Sequence, residues 1–179
     1  MREIRFRGKK EILTEENKRY TDGWIYSDTL YQDDNGVYLI PDGVSAEAYH
    51  RGNYNFRANS DKFEIMVAKI KPETLGQYTG LKDKNGTKIY EGDIVITEKD
   101  WDIYDEENKT YHRYVIKFTN EGIGSCGCCY ETFSGSGFVG ERVLESMTGE
   151  IYTERCHMDW GCEIIGNIYD NPELLDKGE

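Results

Sequence analysis

Residues 75–95, LGQYTGLKDKNGTKIYEGDIV, place two turn signals and an apolar run in one short span, and antiparallel β structure is what accommodates that punctuation. Asn85-Gly86 tolerates the positive φ of a type I′ hairpin turn, so residues 82–84 and 87–90 are expected to pair. Glu91-Gly92-Asp93 then breaks the chain again. Ile94, Val95 and Ile96 follow, a run suited to a strand covered on both faces or turning a barrel corner. A Gly-Asp turn feeding such a strand suits a small SH3-like barrel. The whole segment is read as a folding nucleus and core rather than as a site.

The same logic runs along the rest of the chain. Residues 2–7 alternate charged and apolar side chains, which is strand periodicity with Ile4 and Phe6 expected to point inward. Residues 23–26 form a further strand. Asn35-Gly36 is a hairpin signal leading into 37–40, and Pro41 ends that strand. Residues 42–60, with few aliphatics, read as a long loop or insertion, followed by the strand EIMVAKI. GERVLESM has helical spacing in Val143, Leu144 and Met147. CEIIGNIYD reads as a buried strand, and NPELLDKG as a short C-terminal helix: Asn171 caps it, Pro172 suits its first position, and Glu173 favours its positive end.

Length and charge narrow the function classes. A chain of 179 residues can bury a core without disulfides, as one domain over 1–179 with sub-lobes 1–74 and 75–179 as a finer division. No N-terminal basic and apolar leader is evident, and nowhere do enough apolar residues stand together for a transmembrane helix, so no membrane association is expected. Lys+Arg 22 against Asp+Glu 34 leaves a net charge of −12, which repels a phosphate backbone and makes nucleic acid a poor partner. The local excess of Arg2, Arg5, Arg7, Lys9 and Lys10 is read as an edge strand guarded by cations, with a nucleic-acid contact as the alternative.

Three stretches, MREIRFRGK, KPETLGQYTGLKDKNGTKIYEGDIV and EIIGNIYDNPELL, together resemble the YopX family, which bacteriophages and prophages of Gram-positive bacteria encode. The resemblance spans both ends and the middle of the chain. It leaves 42–60 and 97–162 without an assignable pattern. It implies an α+β, mainly β protein of viral origin and transfers no catalytic residues; the lack of an evident leader or apolar span makes the cytoplasm of the bacterial host the expected location.

The chemistry-bearing residues are read on their own terms. All five cysteines follow residue 125. Cys126 and Cys129 have the knuckle spacing that brings two thiolates to one Zn²⁺, and Cys156 with Cys162 or His157 could complete a structural site. Reduced, partly buried thiols, Cys128 included, are the preferred reading, so no cofactor is expected and zinc is the alternative. Gly122, Gly124 and Gly127 match a dinucleotide fingerprint in name, but no amphipathic helix opens behind them. With His50, His112 and His157 as its only histidines, the chain offers no nucleophile motif. Glu91 and Asp93 form a nominal carboxylate pair in a chain rich in acids. In EKDWDIYDEEN, eight of eleven residues are charged or Asn, so Trp101 and Tyr104 read as aromatic anchors on an exposed acidic loop. The sequence therefore favours a non-enzymatic interaction module whose partner is a protein with a basic surface. A homo-oligomer stays open, and a zinc-containing or nucleic-acid-binding module or an enzyme is the alternative.

Overall fold

Alternating side chains and Gly- or Asn-bearing turns make this chain a series of antiparallel strands in the computed structural model, which describes residues 3–11, 23–41, 56–60, 63–99, 110–120, 136–145, 150–156 and 161–175. The chain divides into two units, Met1–Tyr78 and Thr79–Glu179.

In the first unit, β1 (Phe6–Lys9) lies between β2 (Trp24–Ser27) and the start of β7 (Gly76–Lys82), with Phe6 opposite both Ser27 and Gln77. A second sheet runs β3-β4-β6-β5, from Leu30–Asp33, Gly36–Leu39, Phe63–Ile70 and Phe56–Ser60. Val37, Leu39 and Ile70 form its buried core, with Phe6, Ile25, Leu30 and Leu75 packed against them. Asp33 stands opposite Gly36, so the hairpin loop is Asp34-Asn35, one residue earlier than the Asn35-Gly36 reading. The shift has a local cause. The Asp33 Oδ1 accepts the N–H groups of Asn35 and Gly36 at 2.8 and 3.1 Å, a side-chain turn that closes the loop one step sooner. Two further expectations need correction: Ile4 precedes β1 and is 58% exposed, and β5 occupies the end of the stretch read as a loop.

The second unit holds the end of β7, β8 (Lys88–Tyr90), β9 (Asp93–Lys99), β10 (Thr110–Thr119), β11 (Gly137–Glu145), β12 (Ile151–Cys156) and β13 (Glu163–Asn167). Its antiparallel sheet runs β12-β11-β10-β9-β13. Val95 stands opposite both Tyr114 and Ile164, and Phe118 opposite Phe138, so one face of the sheet carries Val95, Tyr114, Ile116, Phe138 and Ile164. These residues pack with Ile89, Val139 and Cys162 into the core. The helical reading of GERVLESM is overturned, since residues 140–145 belong to β11, with Val143 opposite Thr153 and Leu144 opposite Tyr152. Long-range pairing decides the backbone there, and short apolar spacing is a weak guide against it. The C-terminal helix is reduced to a 3₁₀ turn, Pro172–Leu174. Asn171 does not cap that turn through its side chain, because its Oδ1 instead accepts the Asn167 N–H at 3.4 Å.

Candidate functional site

The motif KDKNGTK closes as a three-residue loop rather than the type I′ turn. Gly86 N–H donates to Asp83 O at 2.9 Å and Asp83 N–H to Thr87 O at 2.8 Å, and Gly86 sits at φ +83°. This is a type I turn followed by a bulge whose last residue is left-handed, the geometry that favours glycine. Asp83 organises it. Its Oδ1 accepts Asn85 and Thr87 N–H at 2.9 and 2.8 Å, and its Oδ2 accepts Ile164 N–H at 3.4 Å. Burial opposes its ionisation, but the hydrogen bonds from Thr87, Ile164 and Asn85 outweigh burial and hold the carboxyl below its ordinary value. Alongside, Lys84 N–H donates to Cys162 O at 2.9 Å, and Lys84 Nζ meets Glu163 at 2.6 Å. The hairpin is thus fastened to β13.

The second motif turn, Glu91-Gly92-Asp93, meets the C-terminal motif directly. Ile168 N–H donates to Gly92 O and Gly92 N–H to Ile116 O, both at 2.9 Å. Asp93 stands opposite Asn167. Asn167 Oδ1 in turn accepts Tyr169 and Asp170 N–H, each at 3.0 Å. Of the nominal carboxylate pair, Glu91 accepts Phe118 N–H at 3.4 Å and Asp93 accepts Tyr90 N–H at 2.8 Å. Both motif stretches are therefore a clamp built on backbone amides, which closes β8, β9 and β13 together.

Few of the remaining expected site residues are among the described ones. Cys162 is buried in the apolar core, where burial, and then the Asp83 charge, push its thiol pKa up. Cys156 ends β12 opposite Gly140. Cys126, Cys128, Cys129, His157, the Gly122–Gly127 motif, Trp101 and Tyr104 lie outside the described residues. Among the described residues, no group of three or more His, Cys, Asp or Glu is placed to hold a metal ion. His112, the one described histidine, touches Arg142 through Nδ1, and the Arg142 guanidinium lies 5.2 Å from the Tyr114 ring centre.

Two surface features went unread in the sequence. The N-terminal cations are not an exposed row, since Arg7 and Lys10 are 6% and 4% exposed. Arg7 stacks at 4.5 Å from the Trp24 ring centre, a cation–π contact, while Arg5 pairs with Glu3 at 3.6 Å. On the five-stranded sheet, Phe118, Val143 and Ile151 are exposed. On the face of Val143 and Ile151, Glu141 holds Lys117 at 2.5 Å and Arg155 at 3.2 Å. The Lys117 hydrogen bond, joined by Arg155, outweighs burial and lowers the Glu141 pKa. A period-two count through 137–145 could have found Val143, had helical spacing not claimed it first.

No described helix is long and apolar enough to cross a membrane. No curated protein matches the chain. Residues 17–176 match the family model described as YopX protein.

Proposed function

The chain belongs to the YopX family, and on that premise we propose that it is a bacteriophage or prophage accessory protein that acts in the host cytoplasm by binding rather than by catalysis. The observation that carries this reading is the way the motif carboxylates are engaged. Asp83, Glu91 and Asp93 each accept backbone N–H groups, so the most patterned part of the chain maintains a scaffold. Such a scaffold presents surfaces, and exposed Val143 and Ile151, which share one face of the five-stranded sheet, belong to one. A net charge of −12 favours a protein partner with a basic surface and disfavours nucleic acid. The burial of Arg7 and Lys10 supports the same choice. Trp101 and Tyr104 are our proposed aromatic anchors on the acidic loop. The turn at Gly92-Asp93, which feeds the apolar strand β9, supports reading this part of the fold as a small SH3-like barrel.

Affinity purification of tagged full-length protein from lysogenic or infected cells tests the reading. A stoichiometric basic protein that dissociates as salt rises is expected. Recovery of nucleic acid alone, lost on changing Arg5 and Arg7, would overturn it.

A further inference from the structure

The chain has two Asn-Gly dipeptides, Asn35-Gly36 and Asn85-Gly86, each at a hairpin loop. Such a dipeptide carries its own chemistry. Because glycine has no side chain, its backbone nitrogen can approach the Asn Cγ and displace the side-chain amide as ammonia. In a folded protein the outcome depends on how the glycine nitrogen is held.

At Gly36 it is held firmly. Its N–H donates to the Asp33 carboxylate at 3.1 Å, the Asn35 N–H shares the same oxygen at 2.8 Å, and Gly36 opens β4 opposite Asp33. An anionic acceptor keeps the proton on that nitrogen. Lys69 also lies against the residue, since a Cβ at Gly36 would stand 2.6 Å from Lys69 Cε.

Gly86 differs on each count. It lies in the exposed loop between β7 and β8, and its N–H donates to a neutral carbonyl, Asp83 O, at 2.9 Å. The Asp83 carboxylate is engaged elsewhere, by the N–H groups of Asn85, Thr87 and Ile164. Nothing stands within 4 Å of a Cβ at Gly86, so the peptide can turn without displacing a neighbour. At the surface, water replaces the released turn bond at little cost. Asn85 is exposed as well, and its Nδ2 reaches Glu163 Oε1 at a long 3.5 Å.

The geometry points to Asn85 as a site of spontaneous, irreversible deamidation, an inference that goes beyond the binding role proposed above and does not depend on it. The Gly86 nitrogen bonds to Asn85 Cγ, the Cγ–Nδ2 bond breaks, and ammonia leaves with the proton of the Gly86 amide. Water then opens the cyclic imide at either carbonyl, giving aspartate or isoaspartate at position 85. Either product sets an anion where a donor now faces Glu163, and isoaspartate also lengthens the backbone of the turn. The fastening of the hairpin to β13 through Asp83, Lys84 and Glu163 is thereby loosened as the molecule ages.

The test incubates full-length protein at mildly alkaline pH and follows both dipeptides by peptide mapping that separates aspartate from isoaspartate. Conversion at Asn85 is expected to run about tenfold or more faster than at Asn35, with ammonia released and both products formed. In urea the two rates should converge, because each dipeptide then has only its chain neighbours. Asn85→Gln should remove the early product. The aged fraction, separated by its added charge, should unfold at lower urea than fresh protein. Equal rates in the folded protein, faster reaction at Asn35, or aspartate without isoaspartate would overturn the proposal. So would an unchanged ratio of rates in urea, which would assign the difference to local sequence instead of the fold. An aged fraction with the urea midpoint of fresh protein would refute the loosening of the hairpin.

Discussion

Asp83 joins three amides from two parts of the chain through one carboxylate. In Asp83→Asn the carbonyl can still serve the turn, but the amide NH₂ would face Ile164 N–H, donor against donor. A loss of about 1–3 kcal/mol in urea unfolding is expected. The pH dependence has a definite sign. Because the folded-state pKa of Asp83 is lowered, its contribution is complete above the unfolded carboxylate pKa of about 4 and fades as pH falls through the lower folded value. Glu141 acts in the same direction, so the variant should show a shallower acid limb than the parent, not a flat one. Gly86 supplies a cleaner contrast. Nothing stands within 4 Å of a Cβ built there, so substitution probes the positive φ alone. Gly86→Val should lose about 1–3 kcal/mol, whereas Gly86→Asn, which tolerates that region, should lose much less. Cys162→Ser places a hydroxyl in the apolar core and should destabilise by about 1–3 kcal/mol equally with and without chelator. A loss that appears only in metal-containing protein would instead identify Cys162 as a ligand.

Among the elements, the contact of β13 with the 3₁₀ turn behind it is the tightest to probe. A Cβ at Gly166 would lie 2.6 Å from Asn171 Oδ1 and 2.9 Å from Leu174 Cδ1. Gly166→Ala should therefore push the turn off the strand, at about 1–3 kcal/mol in thermal or urea unfolding. A parent-like midpoint would show that this end of the chain is not seated as described. The elements also show where local signals carry and where they fail. EIMVAKI lies in β6 because β-branched runs suit a pleated, half-buried surface. GERVLESM has neither a helix cap nor a neighbour that favours helix, and β10 and β12 draw its backbone into the ladder.

At the scale of the whole molecule, the net charge of −12 sets what the proposed binding role predicts. No appreciable affinity for random duplex DNA is expected at about 150 mM salt, because counterion release needs several cations on one face. Fluorescence anisotropy with labelled duplex checks this, and binding at micromolar concentration that depends on Arg5 and Arg7 would refute it. For a protein partner, reversing charge at Asp102, Asp105, Glu106 or Glu107 should slow association more than it speeds dissociation, since peripheral charges mainly steer encounter.

What the amino-acid sequence determined by itself was local: the turns at Gly86 and Gly92, the strand character of runs such as EIMVAKI, and the family to which three separated motifs belong. Turn chemistry is set by a few adjacent residues, so Gly86 and the break at Gly92 were legible. Tertiary structure alone decided the partners. Asp83 reaches Ile164 across eighty-one residues, and Gly92 receives Ile168 N–H. The outward placement of Val143 and Ile151 likewise depends on which strand lies alongside which. Strand order and register arise from the competition of many distant pairings for one core, and no short window of sequence carries that information.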